Sequence, residues 1–177
     1  ADGSTTIIDC TYPLPKAGED AGHGLRIALD RIRDEAEAAA RSGATLIVLT
    51  DEHISEERLG VPMILATSGV HLRLTDAALR TYCSIVVRSS ETLDPHAFAV
   101  LVGVGATAVN PWLAQELFQE RLERGFYGDL SLKDACINYK KGIEAGLLKV
   151  LARKGISVMS AYRGGCEFEI LGLSRAL

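Results

Sequence analysis

The sequence predicts an α/β fold of parallel βα units, either half-barrel-like or an open layered sheet, and three observations carry that expectation. Ala44-Thr45-Leu46-Ile47-Val48-Leu49-Thr50 is a near-continuous apolar run, the pattern of a parallel strand covered on both faces by helices. From Leu25 to Arg41, Leu25, Leu29, Ile32, Ala36 and Ala39 share one helical face against Arg26, Asp30, Arg33, Asp34 and Glu37, which is an amphipathic helix. Strand-like and helix-like segments then alternate in the order β-α-β-α-β-α-β-α-α-β, as right-handed crossover units of a parallel sheet require.

Taken in order, Thr6-Ile7-Ile8-Asp9-Cys10-Thr11 reads as a first strand ended by the turn chemistry of Pro13 and Pro15. Gly43 closes the helix that follows, and the apolar run at 44–50 is the second strand. Asp51 to Gly60 reads as a polar loop. Pro62 suits the first turn of a helix running through Ile64, Leu65, Val70, Leu72 and Leu79. Ser84-Ile85-Val86-Val87-Arg88 is a third strand, and Asp94-Pro95 supplies an N-cap and first helical residue for a helix through Phe98 and Val102. Gly105 to Val109 reads as a short fourth strand, and Asn110-Pro111 opens a helix through Trp112, Leu117 and Leu122 that Gly125 ends. Ser131 is the N-cap of a long amphipathic helix, with Ile143, Leu147, Val150 and Leu151 on one face, stopped by Gly155. Ile156-Ser157-Val158-Met159 reads as a buried fifth strand delivering Ser160 to Gly165 to a surface loop.

The 177 residues suit a single domain spanning 1–177, with 47% apolar and 24% charged residues and no apolar run near the ~20 residues that span a bilayer. A net charge of −4, spread along the chain, argues against nucleic-acid partners. Cys10, Cys83, Cys136 and Cys166 show neither a C-x-x-C pair nor a neighbouring His, so they read as reduced thiols, most of them buried, in a cytoplasmic protein. The chain starts at Ala1 without a signal peptide or a starting Met. It therefore reads as a piece cut or cloned from a longer polypeptide, with self-association open to the isolated piece.

Two strand-end loops carry the candidate chemistry. Asp51, Glu52 and His53 follow the strongest strand, where α/β proteins place catalytic groups, but the polar residues after them favour a solvated loop with Asp51 capping it. Gly164-Gly165 with Arg163 could cradle a phosphate, although a tight turn explains a glycine pair equally well. Gly103-Val104-Gly105 follows a helix and precedes a strand, the reverse of the phosphate-binding order. His23, His53, His71 and His96 share no motif, and neither a G-x-S-x-G elbow nor a Walker lysine occurs. No catalytic, cofactor-binding or metal residue is assigned.

Longer wording is more specific. Asn138-Tyr139, Gly146-Leu147, Lys149, Gly155-Ile156-Ser157 and Tyr162-Arg163-Gly164 roughly follow N-Y-x5-G-L-x-K-x3-K-x-G-I-S-x3-S-Y-R-G, with Arg153 at the second lysine and Ala161 in place of a serine. Ile8 to Pro13 is similar to I-D-x-T-F-P, Ala28 to Ala36 to A-L-x-R-x-x-D-E-A, and Thr45 to Asp51 to I-L-V-L-S-D. His96 to Pro111 is similar to H-H-F-A-V-L-L-G-x-G-A-x-A-V-x-P. Together these resemble the central domain of the glutamate synthase large (alpha) subunit almost end to end, the chain corresponding to the C-terminal part of that domain.

The resemblance implies an enzyme of nitrogen assimilation, an amino-acid-forming oxidoreductase, in which a glutaminase domain passes ammonia to an FMN-bearing barrel that also holds a [3Fe-4S] cluster. It implies that the segment is not an enzyme by itself but a scaffold joining those domains and supporting the ammonia path. Lys154, Ser157, Tyr162 and Arg163 are the residues expected to face the neighbouring domains. The competing reading is an independent small-molecule or phosphate-binding module, or an enzyme, using the loops at 51–53 and 163–165.

Overall fold

The computed structural model describes residues 4–169. Its elements are β1 (Ser4–Asp9), β2 (Thr11–Pro13), α1 (Ala21–Arg41), β3 (Ala44–Thr50), β4 (Arg58–Gly60), α2 (Met63–Asp76), β5 (Ser84–Arg88), α3 (Pro95–Gly103), β6 (Ala108–Asn110), α4 (Trp112–Glu123), α5 (Leu132–Lys154) and α6 (Met159–Tyr162). β1, β3, β5 and β6 form a parallel sheet in that spatial order. Each new strand is added on the same edge, so right-handed crossovers place α1, α2 and α3 on one face. This is the expected α/β fold of parallel βα units, wound in one direction.

The covered face holds the main core. Ile8, Ile47, Leu49, Ile85 and Val87 meet Ala28, Ile32 and Ala36 of α1, Ala66, Val70 and Leu74 of α2, and Leu101 of α3. Small residues on α1 let the helix lie close to the sheet, while the branched residues of the strands fill the space between. The expectation that the 44–50 strand is buried on both sides holds for one face only. Ile47 and Leu49 are fully buried, whereas Leu46 and Val48 are half-buried.

Several boundaries follow local chemistry. Asp94 caps α3 by accepting from the Ala97 N–H, and Ser131 caps α5 by accepting from the Asp134 N–H, as the residue types predict. Asp20 caps α1 through Gly22, so that helix begins four residues before Leu25. α2 ends at Asp76 rather than Leu79, because Ala78 turns left-handed (φ +56°) and the Leu79 N–H returns to the Leu74 carbonyl at 2.7 Å. The polar loop expected over 51–60 contains β4, which pairs antiparallel with β2 through Thr11 and Gly60, Tyr12 and Leu59, and Pro13 and Arg58.

The fifth strand is not formed. Gly155 takes the left-handed conformation (φ +70°), its N–H donates to the Ala152 carbonyl, and the Ile156 N–H donates to the Leu151 carbonyl at 3.0 Å. This is a Schellman closure, which uses an apolar residue after the glycine to seal the helix end. Ile156 was legible as apolar, but it packs on Leu151, Tyr162 and their neighbours, while Val158 is 57% exposed. The chain then makes the single turn of α6.

Candidate functional site

Four segments leave the C-terminal ends of the parallel strands, and the buried polar groups among them are bonded to the chain itself. After β3, Asp51 is buried at 1% exposure. Its carboxylate accepts from the Ser90 N–H at 2.8 and 3.0 Å, from Ser90 Oγ at 2.8 Å and from Trp112 Nε1 at 2.7 Å. A buried carboxylate is tolerable only when its oxygens are so supplied. One side chain thus ties the ends of β3, β5 and β6 together, the last through the first residue of α4. The expectation of a capping role for Asp51 is borne out. Ser90 and Trp112 were missed as its partners, because they lie 39 and 61 residues along the chain from it.

Glu52 is paired with Arg88, and Glu91 accepts from the Met63 N–H at 3.0 Å, occupying the start of α2. After β1, a cleft of 810 Å³ opens between β2 and α1. Its two guanidinium groups are already engaged. Arg31 donates to the carbonyls of Asp9 and Thr11 at 2.7 and 3.2 Å, and Arg58 donates to Asp9 Oδ2 and Thr11 Oγ1 at 2.9 and 2.8 Å. Cys10 lies beneath them, where burial pushes its thiol up to about 12, so it is neutral.

The glycine pair is spent in the same manner. The Gly164 N–H donates to the Val102 carbonyl at 3.1 Å, the Gly165 N–H to the Tyr162 carbonyl at 3.1 Å, and the Cys166 N–H to the Gly103 carbonyl at 3.0 Å. An anion-binding concavity needs successive N–H groups free to point at the anion. Here two of the three close the C-terminal end of α3 and the third closes a turn. Beside them, Arg80 donates to His71 Nδ1 at 2.9 Å and to the carbonyls of Cys83 and Gly105 at 2.7 and 2.8 Å. Burial, and then the Arg80 and Arg163 charges, hold the His71 imidazole below its ordinary value. The ring sits against both Gly105 (φ +123°), where a Cβ would come within 2.4 Å of it, and Gly164.

The four residues expected at a domain contact divide. Lys154, Ser157 and Arg163 are exposed, and Lys154 Nζ pairs with Glu167 Oε2 at 2.9 Å. Tyr162 is 1% exposed. Its hydroxyl donates to the Ala99 carbonyl at 3.0 Å and its ring meets Phe168 edge to face at 6.3 Å. Its place is the second hydrophobic cluster, with Ala99, Val102 and Leu151. An amphipathic ring beyond the buried face of α5 was read as surface because the strand assigned before it would have carried it outward.

Cys10 and Cys83 are buried, Cys136 is half-buried and Cys166 is exposed, all as free thiols, so half rather than most are buried. Among the described residues no group of three or more His, Cys, Asp or Glu could hold a metal ion. A cluster ligated by thiolates therefore does not fit the side chains present. No helix among the described residues is long and apolar enough to cross a membrane.

Comparison with known proteins places this geometry. The family described as "Glutamate synthase central domain" matches residues 1–174. The "Glutamate synthase [NADPH] large chain" of Azospirillum brasilense is 52% identical over 170 residues, covering 96% of this chain and 11% of that protein. The corresponding large chain of Bacillus subtilis (strain 168) is 39% identical over 157 residues, covering 89% of this chain and 10% of that one. The "Ferredoxin-dependent glutamate synthase, chloroplastic" of Spinacia oleracea is 35% identical over 162 residues, covering 85% and 10%. The chain thus spans about a tenth of the length of these relatives. On a match this complete, carried by relatives from bacteria and a plant, the chain belongs to the glutamate synthase central domain family.

Proposed function

We propose that residues 1–177 are the C-terminal part of a glutamate synthase central domain, a non-catalytic scaffold that holds the glutaminase domain and the FMN barrel in register and supports the ammonia path between them. The parent is then an amino-acid-forming oxidoreductase of the cytoplasm. FMN and the [3Fe-4S] cluster belong to its other domains, which are this segment's partners within the same polypeptide. The observation that carries the reading is that Asp51 and the amides of Gly164 to Cys166 are consumed by bonds within the chain. The two loops that an independent enzyme or phosphate module would use are instead fastenings. Lys154, Ser157 and Arg163 are the surface side of the proposed contact, and Tyr162 anchors them from within.

The test is the coupling of the two half-reactions in the intact large chain. Lys154→Ala with Arg163→Ala leaves each half-reaction active but raises glutamine hydrolysed per glutamate formed above the unmodified ratio. An unchanged ratio sinks the contact assignment. Retained turnover of glutamine or tight FMN binding by the 177-residue chain alone would instead favour the independent module.

A further inference from the structure

We infer that the free edge of β1, beside the uncovered face of the parallel sheet, takes a further strand of the same polypeptide, drawn from the sequence that precedes this segment. The inference rests on the reading that the chain is part of a longer large chain.

The sheet register defines the surface. Ile7, Val48, Val86 and Ala108 are partners across all four strands. They point away from α1, α2 and α3, since Ile8, Ile47, Leu49, Ile85 and Val87 point toward them. On the neighbouring row Leu46 lies between Thr5 and Ser84. Ile7 and Ala108 are exposed, Ile7 at 68%, and Leu46, Val48 and Val86 are half-buried. Parallel sheets occur almost always with both faces covered, and here an apolar band of five residues on one face has no helix over it among the described residues.

The edge adds a direction. Among the described residues β1 has β3 as its sole neighbour in the sheet order, so its outer N–H and C=O groups lack a ladder there. Proteins whose edges face water blunt them with Lys, Pro or very short strands. β1 instead reads Ser4-Thr5-Thr6-Ile7-Ile8-Asp9, six residues rich in β-branched side chains and uncharged before its last position. β6, at the opposite end, is only three residues long. Because the strands are laid down in chain order from β1 toward β6, a unit belonging before β1 in the sequence falls at the β1 edge. The relatives supply the material, since this segment accounts for 11% of the Azospirillum brasilense large chain. A strand added there in parallel satisfies the edge and sets a side chain beside Ile7 on the same face of the sheet.

The experiment uses the intact large chain. Ile7→Cys replaces an exposed side chain and spares the covered core. Its maleimide labelling, read at that peptide by mass spectrometry, is expected to be several-fold slower in native protein than in urea, because the side chain of the added strand flanks it. Hydrogen exchange on unsubstituted protein checks the edge without a mutation. Consecutive amides from Thr6 to Ile8 should all be protected, where an open edge would leave alternate amides fast. A photo-crosslinker at position 7 should capture a peptide from the preceding sequence. Labelling at the urea rate, alternating exchange, or a crosslink to a second copy or to a later domain would each overturn the inference. These readouts are independent of the ratio of glutamine hydrolysed to glutamate formed, so the docking surface and the scaffold reading can fail separately.

Discussion

The two hydrophobic clusters of this chain are built on different principles. The larger one is a sandwich of sheet and helices, in which Ile47, Leu49, Ile85 and Val87 meet three crossover helices. The buried residues of the smaller one come from helices alone, with Val109 of β6 packed at its margin. It joins Ala99 and Val102 of α3 to Leu151 of α5, and Tyr162 of α6 completes it from a tail held to α3 by two backbone bonds. The first cluster is a product of topology, since crossover connections press the helices onto the strands. The second is a product of a single large side chain arriving at the right place.

That contrast is open to attack from several directions. Leu49→Ala removes a fully buried side chain from the sheet and should lower unfolding stability by about 2–5 kcal/mol, read as a shifted urea midpoint for every probe at once. Tyr162→Ala deletes a comparable volume, yet its effect should be confined. Amides of 164–166 should lose hydrogen-exchange protection while those of β3 keep theirs. Simultaneous loss in both places would mean that the two clusters form one cooperative unit.

A middle-sized effect should come from the strand-end fastening. Asp51→Asn keeps the shape but replaces one acceptor oxygen with a donor, leaving the Ser90 or Trp112 donors short. The cost should be about 1–3 kcal/mol, accompanied by a shift of the indole fluorescence because Trp112 is the only tryptophan in the chain.

The smallest effect should be a pH dependence at His71. Its folded value lies below its ordinary 6.5, so below pH 6.5 the unfolded chain binds the proton more readily. The contribution of the neutral ring is therefore complete above pH 6.5 and is lost as pH falls through the lowered folded value. The Arg80 bond to Nδ1 breaks with it. The slope of stability against pH in the range just below 6.5 should flatten in His71→Gln, and an unchanged slope would assign the dependence to other groups.

The large cluster was legible in the sequence because its determinants are local and periodic. The apolar run at 44–50, the α1 stripe and the Asp94-Pro95 cap each state their element within one turn or one strand. What was not legible depends on partners far along the chain. The three-residue pair of β2 and β4 is too short for any period, and Pro13 reads as a stop although it is the last paired residue. Ile156 to Met159 has strand composition, but a strand needs an edge to join, and the preceding Gly155 instead directs Ile156 back onto its own helix. Asp51 was rightly placed as a structural residue, while its bond to Trp112 spans 61 residues and no local pattern could announce it. The same distance explains why Tyr162 was assigned to the surface: its acceptor, Ala99, lies 63 residues earlier.

The shared acceptor at Asp51 has a mechanical consequence. Because the turns after β3 and β5 and the start of α4 all depend on one carboxylate, none can swing outward without releasing the other two. The rim at that end of the sheet therefore behaves as a single hem. Its openings to solvent should be rare and synchronous, and a load applied to any one of these turns would be felt by all three.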